Sequence, residues 1–340
     1  MLRPMKKVDV IVINWNGCDH LKICLPALRE QTLKDFRVIL VENGSVDNSA
    51  AWVKENHPWV DLVCLDKNAG FTGANIVGYE HSTADYVVLL NNDTRPDPDW
   101  LEILVKAAED HPEVGIVAST MLRWGTEIVD TAGDGCTMAG TGFKASTGLH
   151  RSQLYDGYVF GACAGAALYK RKMLDEIGFL DPDYFLNQED ADLSFRAQIS
   201  GWKVWLASKA LVHHRVTATN GKLSAVVVYN GAKNNEMTYW KNMPSGLLLK
   251  TLPHRFAQTL FSFINLGIKK KMMIPFLKGK VYALASIPEI VRKRKENMEK
   301  VAVSTDYIYS LLSPVFTLDY LLGRRRIRQE YNKSIQATKV

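Results

Sequence analysis

Apolar and polar positions along the first two-thirds of the chain follow two periods in turn, and these map a series of strands and helices. Val8-Asp9-Val10-Ile11-Val12-Ile13 is almost wholly apolar, as a strand covered on both faces should be. Leu21, Leu25 and Leu28 then recur at the i, i+4, i+7 spacing of one helical face. Phe36 to Val41 predicts a second strand, a helix through Trp52 and Val53 is closed by Pro58, and Val60 to Leu65 predicts a third strand. Thr72 to His81 predicts another amphipathic helix, and Asp85-Tyr86-Val87-Val88-Leu89-Leu90 a buried strand. Asp99-Trp100-Leu101 opens a helix continued by Leu104, Val105 and Ala108, and Val114 to Ala118 is a further strand. This alternation predicts the α/β class, with a mostly parallel central sheet and helices on both faces.

Residues 120–158 lose the periodicity and gain Gly, Thr and Ser, which reads as a loop-rich insertion with room for a short hairpin. Phe160 to Leu168 is a run of small residues, suited to close backbone packing or to the floor of a sugar site. A helix opened by Glu189, Asp190 and Asp192 runs to Ser200, Gly201-Trp202-Lys203-Val204-Trp205 begins another strand, and Ala210 to His214 closes this half.

Length and charge divide the chain. The 340 residues suffice for about two domains. Residues 241–340 hold 19 basic against 6 acidic residues, a charge of +13, while the first 240 carry 23 against 30, or −7. Opposite signs suggest separate jobs. The division expected is 1–225 for a catalytic domain and 226–340 for a basic helical region. The five cysteines form no CxxC pair and several lie in apolar runs, which predicts buried free thiols in a reducing compartment. Met1 to Lys7 is followed by no apolar signal region, so a cytoplasmic location is expected.

The chemistry gathers where strands end. In a parallel sheet the carboxyl ends of the strands share one edge, so Trp15, Glu42, Asp47, Asn68 and Asp93 can converge there. Leu89-Leu90-Asn91-Asn92-Asp93-Thr94 is central, because it sets a carboxylate flanked by amides at the end of a rigid strand. Hard divalent cations take such oxygen ligands, often one or two carboxylates plus substrate phosphates. Asn-Asn-Asp is equally good turn chemistry. Asn14-Trp15-Asn16-Gly17 supplies no GxGxxG fingerprint and no Walker A loop follows, so a phosphate site here needs a metal. Three carboxylates within Glu189-Asp190-Ala191-Asp192 raise one another's pKa, an effect offset by a helix N-terminus and equally consistent with ordinary helix charging.

Taken in order, these stretches resemble the inverting glycosyltransferases of family 2, which have the GT-A fold. The resemblance rests on Asn14-Trp15-Asn16-Gly17, on Val41-Glu42-Asn43-Gly44-Ser45-Val46-Asp47, and on Asn68-Ala69-Gly70-Phe71-Thr72-Gly73-Ala74-Asn75. Asn91-Asn92-Asp93-Thr94, Glu189 to Arg196 and Val212-His213-His214 complete it. The spacing is similar to the bacterial rhamnosyltransferase-like branch that builds surface polysaccharide. The resemblance implies that Asn14, Trp15, Glu42, Asn43 and Asp47 hold a nucleotide sugar, with Asn68, Gly70, Phe71, Asn75, Asn91 and Asn92. It implies Mg²⁺ or Mn²⁺ at Asp93 and His214, with His213 a neighbour. Asn91 stands where the family's DxD-like motif has its first Asp, and Glu42 where an Asp is commoner. Asp190 would be the general base, with Glu189 and Asp192 positioning it, the acceptor or Arg196. The implied partners are a nucleotide diphosphate sugar donor and a glycan or polyprenyl-lipid-linked acceptor. A sugar nucleotidyltransferase would want a Gly-rich basic loop after the first strand, and a silent scaffold would not need competent residues at each site position.

Past Tyr229 the apolar stretches are short of the roughly 18–20 residues that span a bilayer. Lys269-Lys270-Lys271, Arg292-Lys293-Arg294-Lys295 and Arg324-Arg325-Arg326 border them. That pattern suits contact with an anionic membrane surface on the inner face of the cell membrane, or helices packed on the catalytic domain with a solvated basic face. No nucleic-acid-binding motif accompanies the basic clusters, so nucleic acid is not an expected partner.

Overall fold

The computed structural model describes residues 6–215 and 223–315, so the Arg324-Arg325-Arg326 cluster lies outside the described residues. The first half alternates β1 (Val8–Asn14), α1 (Cys18–Arg29), β2 (Phe36–Asn43), α2 (Ser49–Asn56), β3 (Asp61–Leu65), α3 (Gly70–Glu80) and β4 (Tyr86–Asn91). Then come β5 (Thr94–Pro96), α4 (Trp100–Asp110) and β6 (Val114–Arg123). Strands β1 to β4 pair in parallel. Their side chains alternate between two cores. Val8, Val10 and Val12 pack with Leu21 and Leu25 of α1 and Leu104 of α4, while Ile11 and Leu89 face the opposite side. Asp9 is the exception in β1, and Arg37 pairs with its carboxylate at 2.8 Å.

The stretch 120–158 departs from the loop-rich expectation. It is built of β6, which runs on to Arg123, β7 (Val129–Ala132), β8 (Asp134–Thr137), β9 (Gly142–Lys144) and β10 (Gly157–Val159). β8 and β9 form a short hairpin, as the sequence allowed, and β7 pairs back on β6; these three strands have only three or four residues each, too few to announce an alternation. After them come β11 (Ala166–Lys170), α5 (Arg171–Ile177), α6 (Glu189–Ile199) and β12 (Lys203–His214). The ten-stranded sheet has the order β10-β12-β6-β11-β4-β1-β2-β3, with β5 on β12 and β7 on β6. β11 runs antiparallel between β4 and β6, and β12 is parallel to β6.

The rest is helical: α7 (Ala225–Asn242), α8 (Leu248–Ser262), a π-helical turn (Phe263–Lys269), α9 (Met273–Ala285), α10 (Ile287–Glu299) and α11 (Thr305–Leu311). The last described strand, β13 (Leu312–Ser313), pairs with β8 in a second sheet of three strands. Tyr239 of α7, Met243 just after it and Ile308 of α11 share one core with Cys136 of β8 and Phe195 of α6. The boundary expected at 225/226 thus falls at the start of α7, and a common core spans it. No helix among the described residues is long and apolar enough to cross a membrane. All five cysteines are free, but only Cys24 and Cys136 are buried and Cys64 is exposed.

Candidate functional site

Strand register brings the site together. Asn14 at the end of β1 lies opposite Glu42 of β2, Asn91 of β4 opposite Ile13, and His214 at the end of β12 opposite Thr94 of β5. Over this edge opens a cavity of about 970 Å³, at the upper end of the range for small-molecule sites. Trp15, Asn43, Asn68, Gly70, Phe71, Asn91, Asn92, Asp93, Glu189, Asp190 and His214 all line it.

On one wall, Ala69 N donates to Asn43 Oδ1 (2.8 Å) and Gly70 N to Asn68 Oδ1 (2.7 Å), which sets the N-terminus of α3. Gly70 has φ +78°, and a Cβ there would come within 2.5 Å of Phe185, so only glycine fits. Trp15 is 43% exposed at the rim. Asn14, Glu42, Asp47 and Asn75 do not line the cavity but stand behind it. Asn14 joins Glu42 (2.7 Å) to Asn92 (2.6 Å), Glu42 also accepts from Ser45 and Ser49, Asp47 accepts from the amides of Cys18 and Ser49, and Asn75 donates to Phe71 O.

Asp93, between β4 and β5, sits 3.5 Å from His214 Nε2 through Oδ1, and Asp130 Oδ2 lies 3.0 Å from His214 Nδ1. Burial alone would lower the His214 pKa, but the two carboxylates overcome it and push the value up to about 9. Burial likewise works against the charge on Asp130, yet His214 and Lys144 hold its carboxyl well below the usual range. Only a neutral imidazole ligates, so a divalent cation bound here would take the place of the imidazolium proton between the two acids. One carboxylate and one imidazole opening on a cavity fit a divalent cation that takes its remaining oxygens from a diphosphate. His213 turns instead toward Asp97, 3.4 Å away.

The floor is formed by α6 and the small-residue run, of which Cys163, Ala164 and Gly165 line the cavity. Asn187 and Gln188 both have left-handed φ, +68° and +71°, immediately before Glu189. Such backbone is costly without support. Here Gln188 Oε1 accepts from Gly142 N (2.8 Å), and Asn234 of α7 donates to the carbonyls of Leu186 (2.9 Å) and Asn187 (2.7 Å). The loop thus delivers Asp190 half-buried at the floor, accepting from Ala191 N (2.8 Å) and Ala164 N (3.4 Å). Burial raises the Asp190 pKa, and burial with the neighbouring Asp190 raises that of Glu189 to about 8.

Asp192 does not join them. It is 0% exposed and turned away, bonded to Arg196 (3.0 Å), Lys241 (2.9 Å) and Asn242 (2.8 Å). The positioning role expected for it is exercised on Arg196, whose guanidinium donates to the carbonyls of Ile177, Gly178 and Phe179.

Sequence reasoning missed Asp130, Asp134 and Lys144, which stand in the stretch read as loop. Asp134 and Lys144 line the cavity, and Lys144 reaches Asp130 at 2.6 Å. It also missed the far wall, to which α7, α8 and α9 contribute Val226, Arg255, Gln258, Phe276 and Lys280.

The model of glycosyl transferase family 2 matches residues 9–178, half of the chain. The N-acetylglucosaminyl-diphospho-decaprenol L-rhamnosyltransferase of Mycobacterium tuberculosis is 24% identical over 240 residues, covering 62% of this chain and 77% of that protein. Among solved structures, S. aureus TarS 1–349 superposes with a TM-score of 0.54 at 13% identity, over 89% of this chain and 91% of that one. The mannosyltransferase PcManGT from Pyrobaculum calidifontis, in complex with GDP-Man and Mn²⁺, gives 0.50 at 17% identity, over 90% of this chain and 79% of that one.

Proposed function

The chain belongs to glycosyl transferase family 2 and has the GT-A fold, and from that premise we propose an inverting transfer of one sugar from a nucleotide diphosphate donor to an acceptor hydroxyl, with Asp190 as general base. What supports this reading most is one observation: Asp93, His214 and Asp190 line a single cavity. The Asn43–Asn68 framework and the Trp15 ring suit the nucleotide end of the donor. Asp93 and His214 are the residues that would hold Mg²⁺ or Mn²⁺, which when bound neutralises charge on the departing diphosphate. Asp190 takes the proton of the acceptor hydroxyl as its oxygen bonds to the anomeric carbon from the face opposite the phosphate. A single displacement needs only that base.

The acceptor side rests on the C-terminal helices. They turn Arg255, Gln258 and Lys280 toward the cavity and leave an apolar outer face. Leu249, Phe256, Leu260 and Ile264 are exposed along one side of α8 and its π-helical extension, and Ile274, Leu277, Val281 and Leu284 along α9. Lys269, Lys270 and Lys271 sit between the two. Such a face suits an anionic membrane surface on the cytoplasmic side, with the headgroup of a polyprenyl-linked acceptor entering the cavity. Rhamnose enters the proposal through the mycobacterial relative's name. The test is a panel of nucleotide sugars with Mg²⁺ or Mn²⁺, scored by donor hydrolysis and by transfer to a polyprenyl-diphosphate-linked sugar. Cation-dependent turnover of one donor is expected; binding of nucleotides without turnover of any donor contradicts the reading.

A further inference from the structure

The floor of the cavity holds a second carboxyl group beside Asp190. Asp134 opens β8, and its backbone is locked to the small-residue run by two hydrogen bonds, Asp134 N to Gly161 O (2.7 Å) and Gly161 N to Asp134 O (2.9 Å). Oxygen atoms of Asp134 and Asp190 and the sulfur of Cys163 all lie within 4.8 Å of one another. All three side chains are half-buried. The thiol makes this a poor cage for a hard cation, and burial with the two acids pushes its pKa up, so it stays neutral. The Thr131 hydroxyl lies 2.7 Å from Asp134 Oδ1 and 3.1 Å from Gly133 O.

Charge compensation around this pair is thin. Lys144 is the cation facing it, and that ammonium is already tied to Asp130. The other titratable groups facing the pair are Asp130, Glu189, Cys163 and Tyr169, none of them positive. Two carboxylates this close with so little compensation do not both ionise readily.

We propose that Asp134 and Asp190 share one proton and act as a single base unit, with Asp134 the positioning residue that holds that proton beside Asp190. The proposal rests on the reading of Asp190 as the general base. Before transfer the pair carries one proton between its two carboxyl groups. As the acceptor oxygen bonds to the anomeric carbon, the bond from that carbon to the donor phosphate oxygen breaks and its electron pair leaves with the diphosphate. The hydroxyl proton passes to Asp190, leaving both acids protonated, and one proton then returns to water through the cavity. Burial and the Asp190 charge push Asp134 up to about 7, which puts the pair's second ionisation close to neutral pH. Below that pH the pair keeps the proton that holds Asp190 in place as the base.

The test is the pH profile of kcat in the full chain at saturating cation, using the nucleotide sugar turned over in the panel above. For the wild type, kcat should fall as pH rises through about 7, where the pair loses its retained proton and two like charges are left to repel. Asp134→Asn has no such proton to lose, so this alkaline limb is absent. Thr131→Val removes the hydroxyl that favours ionised Asp134, so its alkaline limb moves to higher pH. Coincident limbs in all three proteins overturn the proposal, as does an Asp134→Asn defect confined to KM or Tm. If Asp134→Asn does not fold, Thr131→Val decides alone. Asp190→Asn separates the two levels: full activity there removes the base reading itself, whereas an inactive Asp190→Asn with unmoved limbs removes only the pairing.

Discussion

Asp93 Oδ1 lies 3.5 Å from His214 Nε2, although 121 positions in the chain separate them. The pairing of β5 with β12 brings them together, and Asp130 on the other ring nitrogen aims the imidazole at the cavity. A carboxylate behind a ligating histidine sets ring orientation and basicity. Asp130→Asn should therefore weaken Mn²⁺ affinity by about 10–100-fold, read by titration calorimetry in the presence of the donor nucleotide. Unchanged affinity would show that Asp130 does not serve this ring.

Asp192 and Lys241 form an ion pair with 0% and 1% exposure, joined by Arg196 and Asp181. Removing one partner leaves buried charge without compensation. Asp192→Ala should cost about 3–5 kcal/mol in chemical denaturation. A loss of turnover with undiminished stability would instead return Asp192 to the catalytic set.

Glu236 ties α7 to α8 and α9 through Arg255 and Lys280. Burial alone would raise its pKa, but the two cations bring it down to about 2 from the ordinary 4.5. A carboxyl depressed by folding adds stability that is fully present above the unfolded value and lost as pH falls through the folded one. The window is thus pH 4.5 down to about 2. In Glu236→Gln, the fall in Tm between pH 6 and pH 3 should be smaller than in the wild type; an identical fall would contradict the assignment.

Leu260 and Val281 are exposed on the outer apolar face, 60% and 63% accessible, so charging them should spare the fold. The double variant Leu260→Glu, Val281→Glu should keep its Tm and lose co-sedimentation with vesicles of anionic lipid. Undiminished sedimentation would argue against this face as the membrane contact.

Much of the sheet was legible because its strands are continuous apolar runs, each closed by the polar residues that now line or back the cavity. Val8 to Ile13 and Asp85 to Leu90 are the clearest. The acid cluster was legible as a helix start, and helix geometry also explains why its members divide. Residues two apart on a helix point about 200° apart, so with Asp190 on the cavity side, Asp192 must face the protein. Asp130, Asp134 and Lys144 were hidden because β7, β8 and β9 are only three or four residues long, too short to show an alternation, and β8 draws its other partner, β13, from more than 170 positions further on. Lys233 and Lys241 read as part of a basic region because their acceptors, Asp183 O and Asp181, lie 50 and 60 residues upstream.

The central claim is that the cavity carries out glycosyl transfer with the carboxylate at position 190 as base. The most direct measurement compares Asp190→Asn with the wild type in single-turnover transfer, with donor affinity measured alongside. Transfer should fall by about 10²–10⁴ while donor affinity stays within error. Transfer near the wild-type rate, or a loss explained by donor affinity alone, would contradict it.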